Sequence, residues 1–284
     1  MTTVLVTGGN GQLARSIKAN EIENVQFIYY DASELDIYQI SQVQSVFKKN
    51  KIDYCINCAA YTAVDAAESN QELAFNVNTL GAKNLAIACL EYNVVLIHIS
   101  TDFVFDGGNI KPYTELDIPN PLSFYGKTKL EGEQFIQSIF DNYFIIRTSW
   151  LYSEFGNNFM KTMLRLGKEK KSLSIVNDQI GTPTYAVDLA KVILKIIVTK
   201  NSKFGTYHYS NNGETSWFGF AEEIFNQCNN NIELKAIKSE DYPTAAIRPK
   251  YSVLNKTKIQ QAIEIKIPFW KDSLKVALAN SNTQ

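Results

Sequence analysis

Histidine and cysteine are scarce in this chain, at 2 and 4 of 284 residues. So few cysteines cannot staple a scaffold of this length, and two histidines without a second cysteine pair leave no ordinary metal-ligand set. No metal site is expected. A charge bias is missing too. There are 28 Lys and Arg against 29 Asp and Glu, a formal net charge of -1, so no broad field favours nucleic acid or an anionic membrane as partner. No apolar run approaches the roughly 20 residues needed to cross a bilayer. The chain enters a strand-like Thr3-Val4-Leu5-Val6-Thr7 without the basic and long apolar segments of a signal peptide, which leads us to expect a cytoplasmic protein. The one CxxC, Cys55 and Cys58, sits in Tyr54-Cys55-Ile56-Asn57-Cys58-Ala59, which reads as a buried strand. Residues three apart on a strand point to opposite faces, so the pair cannot chelate one ion and is expected to be core packing.

What is present is alternation. Strand patterns at Thr3–Thr7, Val25–Tyr30, Ile52–Cys58, Val94–Ile99 and Tyr143–Arg147 are separated by helical patterns at Gly11–Asn20, Ile40–Lys49, Glu68–Tyr92 and Tyr125–Phe140. The run Val-Val-Leu-Ile-His-Ile at Val94–Ile99 suits a strand covered on both faces. Repeated β-α-β units predict an α/β fold, a Rossmann-like doubly wound parallel sheet, as a dinucleotide-binding domain over residues 1–150. Beyond Trp150 the regularity fades. Helical patterns at Asn158–Lys168, Val187–Thr199 and Ser216–Cys228, a strand pattern at Thr206–Ser210 and scattered prolines predict a smaller substrate-binding lobe over 151–284. A segment at about 187–210 is expected to return to the main sheet.

The first strand runs into Thr7-Gly8-Gly9-Asn10-Gly11-Gln12-Leu13-Ala14, scored as GxGxxA or GxxGxxA. Glycines between a strand and a helix allow a tight turn and bring backbone N–H groups to a pyrophosphate. Gly8, Asn10 and Gly11 are therefore candidates to face a nicotinamide dinucleotide. Asp31 ends the second strand about twenty residues after Gly11, where a carboxylate can bond the adenosine ribose and would repel a 2′-phosphate; Arg15 can pair with such a phosphate. NADPH and NADH both stay open on these residues.

Thr101 and Asp102 follow the buried strand, where open α/β sheets place their ligands. Tyr125 and Lys129 lie four apart at a helix start, on one face. Of the 15 tyrosines only Tyr125 has a lysine four residues on. Reducing a ketone needs a hydride on carbon and a proton on oxygen. A phenol with an ordinary pKa near 10 is a poor acid-base group at neutral pH unless a neighbouring ammonium stabilises its phenolate. Lys129 supplies that charge and can bond the nicotinamide ribose, and the Thr101 hydroxyl can hold the carbonyl oxygen.

These residues, with Ala59-Ala60-Tyr61-Thr62-Ala63-Val64-Asp65-Ala66-Ala67-Glu68, Ser100-Thr101-Asp102-Phe103-Val104-Phe105, Tyr125-Gly126-Lys127-Thr128-Lys129, Arg147-Thr148-Ser149-Trp150, Gly156-Asn157-Asn158-Phe159, Asp178-Gln179-Ile180-Gly181-Thr182-Pro183-Thr184 and Arg248-Pro249, resemble the extended short-chain dehydrogenase/reductases. Within them, the set is most similar to the dTDP-4-dehydrorhamnose reductase family. The resemblance implies reduction of the 4-keto group of dTDP-4-dehydro-L-rhamnose by NADPH or NADH, the last step of dTDP-rhamnose formation. It implies that Thr101, Tyr125 and Lys129 are catalytic. Gly11, Gln12, Leu13, Asp36, Ile37, Ala59, Ala60 and Tyr61 would line the cofactor. Asp102, Trp150 and Asn158 would touch the sugar nucleotide.

Three positions depart from the family pattern. Ala14 replaces a frequent third glycine, Phe103 stands where tyrosine is common, and Ser16 occupies the place of a glutamate that serves a magnesium-bridged dimer in some members. A monomer or a different homodimer, without structural magnesium, is expected. Sugar-nucleotide dehydratases typically follow the threonine with an Asp-Glu pair, and Asp102 is followed here by Phe103. A simple reduction fits better than elimination or epimerisation. A non-catalytic regulatory subunit of the same fold, of the kind that serves methionine adenosyltransferase, is the other reading; intact Thr101, Tyr125 and Lys129 argue against it.

Overall fold

The computed structural model describes residues 1–281. The first half runs β1 (Thr2–Thr7), α1 (Gln12–Lys18), β2 (Val25–Tyr30), α2 (Ile40–Lys49) and β3 (Tyr54–Asn57). It continues through α3 (Val64–Ala67), α4 (Gln71–Phe75), a π-helical turn (Asn76–Leu80), α5 (Gly81–Glu91) and β4 (Val95–Thr101). A 3-10 turn (Asp102–Val104), α6 (Phe124–Ile139) and β5 (Tyr143–Thr148) complete it. Then come β6 (Leu151–Tyr152), α7 (Phe159–Glu169), β7 (Ser172–Val176), β8 (Ile180–Gly181), β9 (Thr184–Tyr185) and α8 (Ala186–Val198). The chain closes with β10 (Gly205–His208), β11 (Thr215–Ser216), α9 (Trp217–Gln227), β12 (Glu233–Ile237), α10 (Thr257–Ile263) and α11 (Trp270–Ser281).

Six strands form one sheet in the order β10-β5-β4-β3-β1-β2, and every neighbouring pair is parallel. Parallel strands need crossovers, and the crossovers cover both faces. On one face Leu13, Ala14 and Ile17 of α1 pack with α8 and α10 against Val4, Val6, Ile56 and Ile97. On the other, Val43 and Phe47 of α2, with α5 and α6, pack against Leu5, Leu96 and Ile145. The chain therefore changes face between α1 and α2, and strand order reverses about β1. Such a switch point opens a crevice at the carboxyl ends of the strands. Cys55 belongs to one layer and Cys58 packs against the other, as the strand alternation requires.

The periodicity of Glu68–Tyr92 suggests one helix; the structure starts it at Gln71 and inserts the π-helical turn. The inserted turn aims Asn78 at α6 and at the loop after β3. Its Nδ2 donates to Thr128 Oγ1 at 3.1 Å and to the Tyr61 carbonyl at 3.2 Å, and its Oδ1 accepts from Tyr61 N at 2.9 Å. A π turn trades helix regularity for that placement.

Three two-stranded ladders, β6 with β9, β7 with β12 and β8 with β11, carry the lobe. Its own core gathers Tyr152, Met160, Phe220 and Trp270. Among the described residues, no helix is long and apolar enough to cross a membrane.

Candidate active site

A cleft of about 600 Å³ lies between the strand ends and the lobe. At one end is the glycine turn. Gly8 has φ +66°, and a Cβ there would sit 2.7 Å from the Ala59 nitrogen, so no other residue fits without moving backbone. Gly9 N donates to Tyr30 O and Gly11 N to Gly8 O, both at 2.8 Å, which fixes the turn by main-chain bonds alone. Asn10, Gly11, Gln12 and Leu13 line the cleft. Asn10 Nδ2 donates to the Asp31 carboxylate, which also accepts from the Ser33 N–H and hydroxyl; those bonds hold Asp31 below the usual carboxylate range. The guanidinium of Arg15 lies 4.6 Å from the Phe155 ring centre.

At the other end stand Thr101, Asp102, Tyr125 and Lys129, brought together by the end of β4 and the start of α6. The α6 start is set by Ser123, whose hydroxyl accepts from Gly126 N at 3.1 Å. Gly126 must be glycine, because a Cβ would meet the Phe103 carbonyl at 2.2 Å. That close approach seats the Tyr125 turn on the 3-10 turn after β4. Phe103 packs edge-on to Tyr125, with ring centres 5.7 Å apart.

Burial pushes the Tyr125 phenol up to about 12, the Asp102 charge adds to this, and a hydrogen bond with Thr101 opposes it. The phenol is thus held protonated through the neutral range, the form a ketone reduction consumes. Asp102 is 2 % exposed. Its Oδ1 accepts from Thr101 Oγ1 at 3.2 Å, while Oδ2 is buried with no hydrogen-bond partner among the described residues. Burial pushes this carboxyl up to about 6, against the Ser252 and Thr101 hydroxyls. Lys129 is buried and donates to Ile99 O at 2.6 Å. Burial brings its ammonium down to about 8, with Glu133 pulling the other way.

Beneath these residues runs a buried ion pair. The Arg147 guanidinium grips Glu133 through Nε at 3.0 and 3.1 Å and Nη2 at 2.6 Å, and the Ser100 hydroxyl donates to the same carboxylate. Glu133 is one turn beyond Lys129 on α6, so the pair ties α6 to β4 and β5.

The lobe supplies the opposite wall. Trp150 adopts φ +45° and stacks on Trp217 at 3.7 Å and 11°. A Cβ on Gly181 would lie 2.6 Å from the Trp150 indole, so the glycine makes room for the ring. Arg248 reaches the cleft while paired with Asp65 at 2.6 and 3.0 Å.

This arrangement has relatives of known identity. The family model described as RmlD substrate binding domain matches residues 1–283. A dTDP-4-dehydrorhamnose reductase of Aggregatibacter actinomycetemcomitans is 43% identical, with 97% of this chain and 98% of that protein aligned. The chain belongs to the dTDP-4-dehydrorhamnose reductase family. Among solved structures, the dTDP-4-dehydrorhamnose reductase of Clostridium acetobutylicum superposes with a TM-score of 0.95 at 44% identity, covering 99% of this chain and 100% of that one. That of Bacillus anthracis, solved in complex with NADP, gives 0.95 at 42% identity with the same coverage.

Of the residues singled out from the family pattern, Gly11, Gln12, Leu13, Ala60, Thr101, Asp102, Tyr125, Lys129, Trp150 and Asn158 line the cleft. Others stand behind it. Ala59 backs Gly8, and the Tyr61 hydroxyl accepts from Asn70 Nδ2 at 3.2 Å. Asp36 lies on the β2–α2 connection, where its N–H donates to Gln42 Oε1 at 3.0 Å. The Ile37 side chain packs against Gly81 in the core, and its carbonyl accepts from Asn84 Nδ2 at 3.1 Å. Asn158 caps α7 by accepting from Lys161 N at 3.1 Å, and its Nδ2 donates to Ser153 O at 2.7 Å, so its side chain is largely engaged within the protein. Ser16 is buried, and its hydroxyl donates to Gln12 O at 2.8 Å.

Sequence reasoning missed Trp217 as a cleft residue. The available signal was Ser216, whose hydroxyl accepts from Gly219 N at 3.0 Å and so starts α9 with Trp217 in its first turn. Arg248 appeared only as part of an Arg-Pro motif, since nothing local shows that it faces Asp65, 183 residues away.

Proposed function

We propose that this chain reduces the 4-keto group of dTDP-4-dehydro-L-rhamnose with NADPH or NADH, giving dTDP-L-rhamnose. The observation that carries the reading is the buried phenol of Tyr125 beside Lys129, Thr101 and Asp102 in a cleft that begins at a glycine-rich turn. The residues fit a dinucleotide. Gly8 packs the turn tightly onto the Ala59 main chain and leaves Asn10, Gly11, Gln12 and Leu13 lining the cleft, and the NADP complex of the Bacillus anthracis relative supports the same cofactor class here.

The nicotinamide cofactor supplies the hydride when bound. Gly8, Asn10, Gly11, Gln12 and Leu13 would hold its phosphates, with Asp31 on the adenosine side. Lys129 would bond the nicotinamide ribose and steady the charge that develops on Tyr125. The Thr101 hydroxyl would orient the carbonyl oxygen, and the Tyr125 phenol would give it a proton. Asp102, which lines the cleft beside Thr101, would accept from a sugar hydroxyl. The Trp150 and Trp217 stack gives the nucleotide sugar a flat apolar wall, and Arg248 offers a cation for its diphosphate.

The test mixes the protein with reduced cofactor and a dTDP-4-keto-6-deoxysugar and follows absorbance of the reduced nicotinamide. Loss of signal matching the sugar consumed supports reduction. No net loss with an isomerised sugar marks an epimerase, and no change with tight cofactor binding marks a binding subunit; either overturns the proposal.

A further inference from the structure

Both histidines of the chain lie buried beneath the candidate site, and their partners fix which ring nitrogen carries the proton. His98, on β4, has Nδ1 at 3.0 Å from Asn57 Nδ2 and Nε2 at 3.3 Å from Lys129 Nζ. The Asn57 amide cannot be turned around. Its Oδ1 accepts from the Ala59 N–H at 3.2 Å and from the Thr7 hydroxyl at 2.7 Å, so the opposite orientation would set an NH2 group against a main-chain donor. Asn57 therefore presents a donor to His98 Nδ1. Burial keeps the imidazole neutral with a single ring proton, and a second proton on Nδ1 would face the Asn57 donor. With Nδ1 accepting, that proton is on Nε2, aimed at the lysine nitrogen.

An ammonium has three donors and no acceptor. Facing an Nε2–H, it meets a donor with a donor; an amine has a lone pair to receive it. We propose that His98 is a positioning residue that sets the charge state of Lys129, because Asn57 locks it as the Nε2–H tautomer and so favours the amine over the ammonium.

The other groups acting on Lys129 do not reproduce this. Glu133, from α6, favours the ammonium, but its charge is engaged by Arg147 and Ser100. Cys58, after β3, is kept neutral because burial pushes its thiol up. Tyr125, on α6, is held protonated by burial. Ile99 O accepts one lysine proton in either state. His98 is the neighbour whose hydrogen bond discriminates between them, which leaves Lys129 poised near neutrality instead of a permanent cation. The inference rests on reading Lys129 as the lysine that faces cofactor and tyrosine.

The second histidine serves as an internal reference. His208 Nδ1 lies 3.0 Å from Tyr113 O, a pure acceptor, and its Nε2 lies 3.4 Å from Arg147 Nη1, a pure donor. It must carry its proton on Nδ1, opposite to His98.

Nitrogen-15 correlation spectra of the two rings in the wild-type protein test this directly. One Nε2–H and one Nδ1–H tautomer are expected, with the Nε2–H signal vanishing in His98→Gln. An Nδ1–H tautomer at His98 overturns the proposal, and needs no variant to fold. A second readout follows the ε-carbon of Lys129, assigned by its loss in Lys129→Met, against pH. In His98→Gln, where an amide oxygen can accept from the ammonium, the midpoint should rise by about one unit, a tenfold gain in proton affinity. An unchanged midpoint in the folded variant also overturns it. Neither readout requires turnover, so failure of the reductase assay and failure of the tautomer assignment are told apart.

Discussion

The glycine-turn end of the cleft is built from main chain and surface side chains, whereas the Tyr125 end is built from side chains that bury their charge. Around Gly8 and Gly11 the bonds are N–H to carbonyl, and Asp31 and Asn10 lie at the surface. Around Tyr125 the ionisable groups Lys129, Glu133, Arg147 and Asp102 are all buried. Backbone recognition tolerates change in neighbouring side chains but not a Cβ in the turn. Buried charge is stabilised only by its partners, so removing one strands the other. The two ends should respond differently to substitution.

The largest effect is expected from Tyr125→Phe, which deletes the proposed proton donor and keeps the ring. Turnover should fall about 1,000-fold with cofactor affinity nearly unchanged, measured by steady-state rates and fluorescence titration. Next, Glu133→Gln leaves Arg147 buried without its counter-charge and should destabilise the fold by ~3–5 kcal/mol in denaturant melts. A loss below 1 kcal/mol would show that the ion pair is not the anchor its geometry suggests.

At the other end, Gly8→Ala forces a Cβ against Ala59 at positive φ. Strain of ~1–3 kcal/mol should weaken cofactor binding about tenfold or more while sparing stability of the Tyr125 end. The carboxyl of Asp102 offers a pH test. Its pKa of about 6 means that it is protonated below that pH and an anionic acceptor above it. KM for the sugar nucleotide should therefore fall as pH rises through about 6, and the slope should vanish in Asp102→Asn. The smallest effect is expected for Asp31→Ala, at the surface, with a change of only a few fold in cofactor affinity.

The contrast also explains what the chain disclosed in advance. The β4 run Val95-Leu96-Ile97-His98-Ile99 announces a strand covered on both faces, and the glycine turn announces itself by residue type. Tyr125, Lys129 and Thr101 follow from chemistry tied to short spacings. Trp217, Arg248 and the Glu133–Arg147 pair do not, because each depends on a partner far along the chain. The π-helical turn at Asn76–Leu80 escaped because its hydrophobic period continues that of α4 and α5, and only the tertiary bonds of Asn78 favour the extra residue. His98 looked like one polar residue in an apolar strand, and only the neighbours on β3 and α6 give its proton a direction.

The central claim is that Tyr125 delivers a proton to a sugar ketone while reduced nicotinamide is consumed. Single-turnover absorbance with the wild-type chain, a dTDP-4-keto-6-deoxysugar and either reduced cofactor tests it most directly. One cofactor oxidised per sugar reduced, and near silence in a Tyr125→Phe protein that still binds the cofactor, is the predicted result. Equal rates in the two proteins, or no oxidation with the wild type, would contradict it.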